Sequence, residues 1–516
     1  MLITELLARN AQIYANQSAL VERAPAAQSR KEITWSEFGE QADRVADWLI
    51  KKGVKKGDKV VHLMMNCIEW LPAYFGILRT GALAVPLNFR FDASALKRCA
   101  QICEAKVFIF AEEFLDRVNA IQAELKSVES FVFLGPEKLR PAYAESYDAL
   151  LESASGSTPE ISLEGSDDAA LYFTSGTTGA PKAILLTHAN LESSCLVENN
   201  HHRQTHEDNF LCIPPLYHTG AKMHWFGNLL VGAKAVILKG VEPKWILEAV
   251  SQEKVTIVWL LVPWAIDILF AIQNRDVNPA DYELSQWRLM HIGAQPVPPS
   301  LIKEWRKVFP NHQYDTNYGL TECTGPGCVH LGIENSHKVG AIGVPGSGYE
   351  LMIVDVMNNR VADGEIGELA VRGPGVMKEY FKNPEETERV LKDGWLLTGD
   401  MARRDEDGFI WLVDRKKDLI ITGGENIYPV EIEDFLQAHP DIQDVAVIGM
   451  PSLRLGEIAA AIIQARPGRT LTEEAVALFC EALPRYKRPR KIIFGQVPRN
   501  PTGKIEKPKL RKMYAQ

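Results

Sequence analysis

A chain of 516 residues is too long for one ordinary core, so two or more domains are expected. Its 46% hydrophobic and 24% charged residues are those of a globular protein, and a net charge near -9 leaves no polybasic surface for nucleic acid. Eight cysteines at 67, 99, 103, 195, 212, 323, 328 and 480 form no Cys-x-x-Cys pair, which fits reduced, buried thiols rather than a zinc or disulfide framework.

In chain order, Met1-Leu2-Ile3-Thr4-Glu5-Leu6-Leu7 lacks a basic n-region and reads as the start of an amphipathic helix, so a cytoplasmic protein is expected. From about residue 30, short β-branched runs alternate with helical patterns. Val60 to Met64 precedes a helix over Trp70 to Thr80, and Val107 to Phe110, Ser130 to Leu134 and Ala235 to Leu238 repeat the theme. This alternation predicts an α/β fold of mostly parallel sheets covered by helices on both faces. His201-His202 with His206 could suggest a metal site, but no second ligand cluster is evident, and a polar helix face is the expected reading. Val255 to Ile272 is apolar but broken by Pro263 and Asp267; it reads as a doubly buried strand followed by a helix, with no membrane span. Gly340 to Trp411, rich in Gly-Pro, Asp-Gly and Asn-Asn turns, predicts a small antiparallel β section. The cluster Asp414 to Asp418 marks a boundary between a large domain, 1–413, and a small mobile α+β domain, 414–516.

Thr174-Ser175-Gly176-Thr177-Thr178-Gly179-Ala180-Pro181-Lys182 follows the buried-strand pattern Ala169 to Phe173. Glycines let backbone amides converge on an anion, hydroxyls add donors and a lysine closes the loop, which is the make-up of a phosphate cradle. The spacing is not the Walker pattern. Four more motifs follow it: Tyr318-Gly319-Leu320-Thr321-Glu322, Thr398-Gly399-Asp400, Asp414-Arg415-Lys416-Lys417-Asp418 running into Gly423-Gly424-Glu425-Asn426, and Asn500-Pro501-Thr502-Gly503-Lys504.

With these five motifs in this order, nearly the whole chain resembles the adenylate-forming superfamily, in its acyl-CoA synthetase branch. That resemblance implies an acid-thiol ligase using ATP, Mg2+ and coenzyme A on a small-molecule carboxylic acid; a homo-oligomer is compatible with it. It implies that Thr174 to Gly179 and Lys182 hold phosphates, and that Gly293, Ala294, Gln295, Asn317, Tyr318 and Gly319 line the adenine. Thr321 would meet the α-phosphate, Glu322 the magnesium ion, and Asp400 with Arg415 the ribose. Lys504 would bridge carboxylate and α-phosphate, Lys417 would be the hinge, and Gly423 and Gly424 would border the pantetheine path. Ala183 departs from the usual glycine after the lysine. Pro215-Leu216-Tyr217-His218-Thr219-Gly220 resembles the segment beside the acyl group, with His218 as its gate. The absence of an aspartate there argues against an amino-acid substrate. Met223, His224, Trp225, Trp259 and Trp264 suggest a bulky pocket wall, and Lys222 either meets a distal polar group of the acid or carries its ammonium to solvent. The alternatives are a ligase that loads a carrier protein and a non-catalytic nucleotide-binding relative.

Overall fold

The computed structural model describes residues 1–157, 159–175, 181–293, 297–329, 337–423, 425–499 and 505–515. Among these, two large sheets dominate the first part of the chain. One runs Glu379–Tyr380, Pro181–Thr187, Asp168–Ser175, Leu83–Pro86, Lys59–Leu63, Val107–Ala111, Ser130–Leu134, Ala144–Ser146. It is parallel from Asp168–Ser175 onward, and the first two strands are antiparallel additions. The other runs Gln313–Asp315, Leu289–Gly293, Ile257–Leu261, Asn209–Cys212, Lys234–Leu238, Ser18–Ala24, Ser29–Thr34, with only the last pair antiparallel.

The two faces of the second sheet are separated by the two-residue period of a strand. Ile257, Trp259, Leu261 and Leu289 point into the main core, which they share with the helices Trp35–Lys51, Trp70–Arg79 and Thr219–Val231 and with the first sheet. Val258, Leu260, Met290 and Ile292 point outward under Pro243–Glu253, Val262–Gln273 and Pro299–Val308. Burial on both faces explains why Ile257 to Leu261 reads as an unbroken apolar run. Pro263 sits in the first turn of the next helix, where no backbone donor is needed. No described helix is long and apolar enough to cross a membrane.

Antiparallel strands Glu350–Val354, Gly367–Arg372, Trp395–Arg404 and Ile410–Arg415 follow, as the turn-rich composition predicts. The last section builds its own mixed sheet from Ile420–Thr422, Glu425–Ile427, Ile442–Ser452, Gly456–Ala465 and Lys491–Phe494. It has separate apolar clusters on its two faces, around Ile432 and Val447 on one and Ile448 and Leu510 on the other. All eight cysteines are buried and unbridged.

Candidate active site

The carboxyl ends of the parallel strands and the antiparallel section supply the site. Asp168–Ser175 and Pro181–Thr187 pair as antiparallel strands in which Thr174 faces Lys182; Gly176, Thr177, Thr178 and Gly179 lie outside the described residues. The Lys182 ammonium pairs with Glu386 and lies 5.1 Å from the Tyr380 ring centre. Arg389 also binds Glu386, and the two cations hold that carboxyl down at about 2. Tyr380 in turn donates from its hydroxyl to Glu322 Oε1 at 2.9 Å. Sequence reasoning missed Tyr380 and Glu386. Their only local signal is Asn383, whose side chain caps the helix Pro384–Val390 by accepting from the Glu386 amide.

Tyr318, Asp400 and Arg415 come together from three strands. Asp400 and Arg415 are direct cross-strand partners, and Arg415 Nε lies 2.6 Å from Asp400 Oδ1. Tyr318 donates from its hydroxyl to Asp400 Oδ2 at 2.5 Å. Burial beside that carboxylate pushes the phenol well above its ordinary value. Gly399 adopts φ +73, which lets the chain turn so that its amide reaches Glu368 Oε1 at 2.9 Å, while Lys416 pairs with the other oxygen of Glu368 at 2.7 Å. Charges of both signs thus line this region.

Thr321 approaches Thr219, with the hydroxyl oxygens 3.4 Å apart. Thr219 opens the helix Thr219–Val231, which is preceded by His218. A Cβ on Gly220 would stand 3.2 Å from the Trp259 indole, so a side chain at 220 would press on Trp259 and shift it by a few tenths of an ångström. Gly293 lies near Trp259 Nε1, Thr316 and the Asn317 carbonyl, which joins the adenine-side and acyl-side candidates. Trp264 is half-buried and packs against both apolar clusters of the two large sheets. Ala294, Gln295, Gly424, Lys504 and the side chain of Met223 lie outside the described residues. Gly423 adopts φ +59, and Lys417 sits in a turn between Ile410–Arg415 and Ile420–Thr422.

Three expectations are corrected. Lys222 does not reach solvent: it is fully buried, its ammonium 4.3 Å from the Tyr172 ring centre, 5.3 Å from Tyr74 and 5.5 Å from Trp70. Residues 220 and 222 point about 200° apart on a helix. With Gly220 facing Trp259, Lys222 is turned away from the expected acyl wall. Trp225 is likewise a core residue, edge-on to Phe75 and tilted against Phe38. His201-His202 is not a polar face either, because both side chains are buried against His291 and Asp315, whereas His206 stacks on Tyr14 elsewhere.

An α/β body with this Tyr-Asp-Arg and Thr-Glu arrangement defines an adenylate-forming enzyme. Residues 7–381 match the AMP-binding enzyme family, and residues 431–504 match the AMP-binding enzyme C-terminal domain. The chain belongs to that family, in its acyl-CoA synthetase branch. It is 33% identical over 491 residues to a feruloyl-CoA synthase of Amycolatopsis sp., covering 93% of this chain and 94% of the relative. It is 31% identical over 490 residues to a long-chain-fatty-acid–CoA ligase of Mycobacterium tuberculosis, covering 94% and 93%. The crystal structure of an anthranilate CoA ligase in complex with anthranoyl-AMP superposes with a TM-score of 0.89 at 27% identity, covering 100% of this chain and 97% of that one. The protein is an AMP-forming CoA ligase that works with ATP, Mg2+ and coenzyme A.

Proposed function

We propose that the protein joins a compact carboxylic acid, aryl or alicyclic in size, to the thiol of coenzyme A through an acyl-adenylate. The observation that supports the substrate class is the close approach of Trp259 to Gly220, next in sequence to the Thr219 that contacts Thr321, which fits a large indole narrowing the acyl side. Aromatic acids appear in the names of the feruloyl and anthranilate relatives, and a long-chain acid in that of the mycobacterial one.

In this reading a carboxylate oxygen attacks the α-phosphorus of ATP and pyrophosphate leaves. The catalytic need is positioning and charge neutralisation. Thr174 and Lys182 hold the phosphates, and Lys182 exchanges Glu386 for them. Thr321 donates to the α-phosphate. Glu322 fits a magnesium ligand, since it is a hard carboxylate and, among the described residues, one of its oxygens accepts from Tyr380. When bound, that ion supplies positive charge to the phosphates. Asp400 accepts from the ribose hydroxyls while Arg415 and Tyr318 fix its orientation. His218 borders the carboxylate end, and Lys504 neutralises the approaching anions. The thiol then attacks the carbonyl, AMP leaves and the thiol proton is released. Residues 414–516 act as the lid that changes places between the two steps, pivoting at Lys417, with Gly423 and Gly424 beside the thiol path.

The test is CoA-dependent AMP formation on a panel of benzoate, phenylacetate, cyclohexanecarboxylate, octanoate and palmitate. Highest kcat/KM on the ring acids is expected, and Trp259→Ala should extend activity toward octanoate. A parent enzyme that prefers palmitate would overturn the compact-acid reading. AMP release with a phosphopantetheinyl protein and not with CoA would favour the carrier-loading alternative.

A further inference from the structure

We propose that His201, His202, His291 and Asp315 form a buried binding site for one divalent transition-metal ion of the zinc type, separate from the magnesium used with ATP. One ligand atom from each of the four lies within 4.8 Å of all the others. Sheet register explains half of the convergence: Trp259, His291 and Asp315 are successive partners across parallel strands, so all three point to the inner face. The other half comes from the helix His188–His202, whose final turn delivers two adjacent imidazoles over that face, their ring centres 4.5 Å apart.

Two of the separations are already close to those of a metal site, and the set as a whole, spread within 4.8 Å with His201 closest to Asp315, would have to close up by side-chain rotation around the ion. His202 Nε2 lies 3.3 Å from Asp315 Oδ2 and 3.1 Å from His291 Nδ1, and His201 Nε2 closes on the same Asp315 oxygen. Four ligands about 2.0–2.1 Å from a tetrahedral ion stand roughly 3.3–3.4 Å from one another. A neutral imidazole has one N–H and one lone pair. His202 Nε2 faces both an imidazole nitrogen and a carboxylate oxygen, while its Nδ1 faces a second carboxylate, Glu198 Oε2, at 3.3 Å. A dication accepts lone pairs from all four inner atoms and offsets the buried negative charge.

The outer contacts repeat the logic. Glu198 faces the ring nitrogen of His202 that does not point inward, and its other oxygen accepts from Asn317 Nδ2 at 3.0 Å. Carboxylates in that position orient metal-bound histidines. Three imidazoles and one carboxylate favour zinc-type ions over magnesium or calcium, and four protein ligands make a closed, structural site rather than a catalytic one. Such an ion would tie the end of His188–His202 to the strands Leu289–Gly293 and Gln313–Asp315, whose continuations carry the adenine-side candidates. The proposal stands or falls independently of the acid the enzyme uses.

The experiment uses the full chain without an affinity tag, stripped by dialysis against a chelator and titrated with Zn2+ and with Co2+. One tight equivalent per chain is expected, with the visible bands of tetrahedral Co2+ in nitrogen and oxygen ligation and a rise in unfolding temperature on zinc addition. Glu198→Gln should weaken binding by roughly 10–100-fold, His291→Asn should abolish it, and His206→Ala should leave it unchanged. No stoichiometric uptake by the parent chain, a cobalt spectrum with thiolate charge-transfer bands, or equal affinity in the Glu198→Gln and parent proteins would each overturn the proposal. The parent titration and Glu198→Gln decide the matter even where His291→Asn does not fold.

Discussion

Lys222 is buried beneath three aromatic rings, and among the described residues its ammonium has no carboxylate partner; its recorded hydrogen bond is a long one, 3.4 Å, to the Leu216 carbonyl. A desolvated cation over aromatic faces gains about 2 kcal/mol or more. Full burial of an ammonium costs several kcal/mol, so desolvation wins and draws the amine well below its usual range. A folded-state value depressed in this way destabilises the parent as pH falls below the unfolded lysine range. Lys222→Met, similar in length and apolar, is therefore expected to raise stability by about 1–3 kcal/mol at neutral pH, more at pH 6 than at pH 9, with the acid preference unchanged. Thermal unfolding at the two pH values checks it, and a less stable variant would show that the amine is held by its cage. Tyr318 makes the opposite kind of contact. Tyr318→Phe removes a hydrogen bond to a carboxylate worth about 1.5–3 kcal/mol, while Asp400 keeps Arg415. KM for ATP should rise about tenfold or more, with kcat less affected; a fall in kcat alone would argue against a ribose-positioning role. The surroundings of Lys222 and of His201-His202 were not legible in the sequence. A lysine four residues after His218 carries no mark of which side of its helix meets the core, and His201-His202 lies far in sequence from its partners at 291 and 315.

At the level of elements the sequence was far more informative, because each signal is local. The helix Trp70–Arg79, the strand Ile257–Leu261 with Pro263 just beyond it, and the turn-punctuated strands between Val344 and Arg415 all follow from periodicity and turn residues. What such signals omit is pairing. Nothing local says that Asp400 and Arg415 will be cross-strand neighbours, or that Pro181–Thr187 will accept Glu379–Tyr380 as an added strand that brings Tyr380 to Glu322. The turn holding Lys417 is the element on which alternation is proposed to depend. The bonds recorded around it are donated by Lys416 to Gly399 and by Asp418 to Arg415, so proline at 417 removes neither. It does fix φ near about -65°. Lys417→Pro should leave pyrophosphate release from ATP and acid nearly intact while slowing thioester formation about tenfold or more, as expected when a gating motion is restricted. Single-turnover measurement of both half-reactions checks this, and equal slowing of the two would remove Lys417 from the hinge.

On the scale of the whole molecule, the join between the antiparallel section and the last sheet carries unusual buried charge. Asp414 is only 6% exposed, accepts from the Val430 amide at 2.9 Å, and thereby ties the end of Ile410–Arg415 to the start of the helix Pro429–Gln437. Nearby, Lys507 pairs with Glu433 at 2.8 Å and Arg511 with Asp418 at 2.7 Å, so the terminal helix Lys507–Tyr514 is fastened to the same join. Burial outweighs the pull of Lys507 and lifts the Asp414 carboxyl from its ordinary 3.8 to about 6. Because the folded-state value is the higher one, the folded chain holds this proton more tightly than the unfolded chain. The resulting stabilisation is complete below pH 3.8 and is lost as pH rises through about 6. Asp414→Asn keeps one acceptor for the Val430 amide and has nothing to ionise. Its stability relative to the parent should therefore climb between pH 4.5 and 7, by at most about 3 kcal/mol for a shift of roughly two units. The difference between variant and parent unfolding midpoints, followed across that range, isolates this group from the other carboxylates that titrate alongside it. Midpoints that run parallel from pH 4.5 to 7 would mean that the join carries Asp414 as an ordinary ionised carboxylate, held by the Val430 amide and Lys507 strongly enough to cancel the cost of burial.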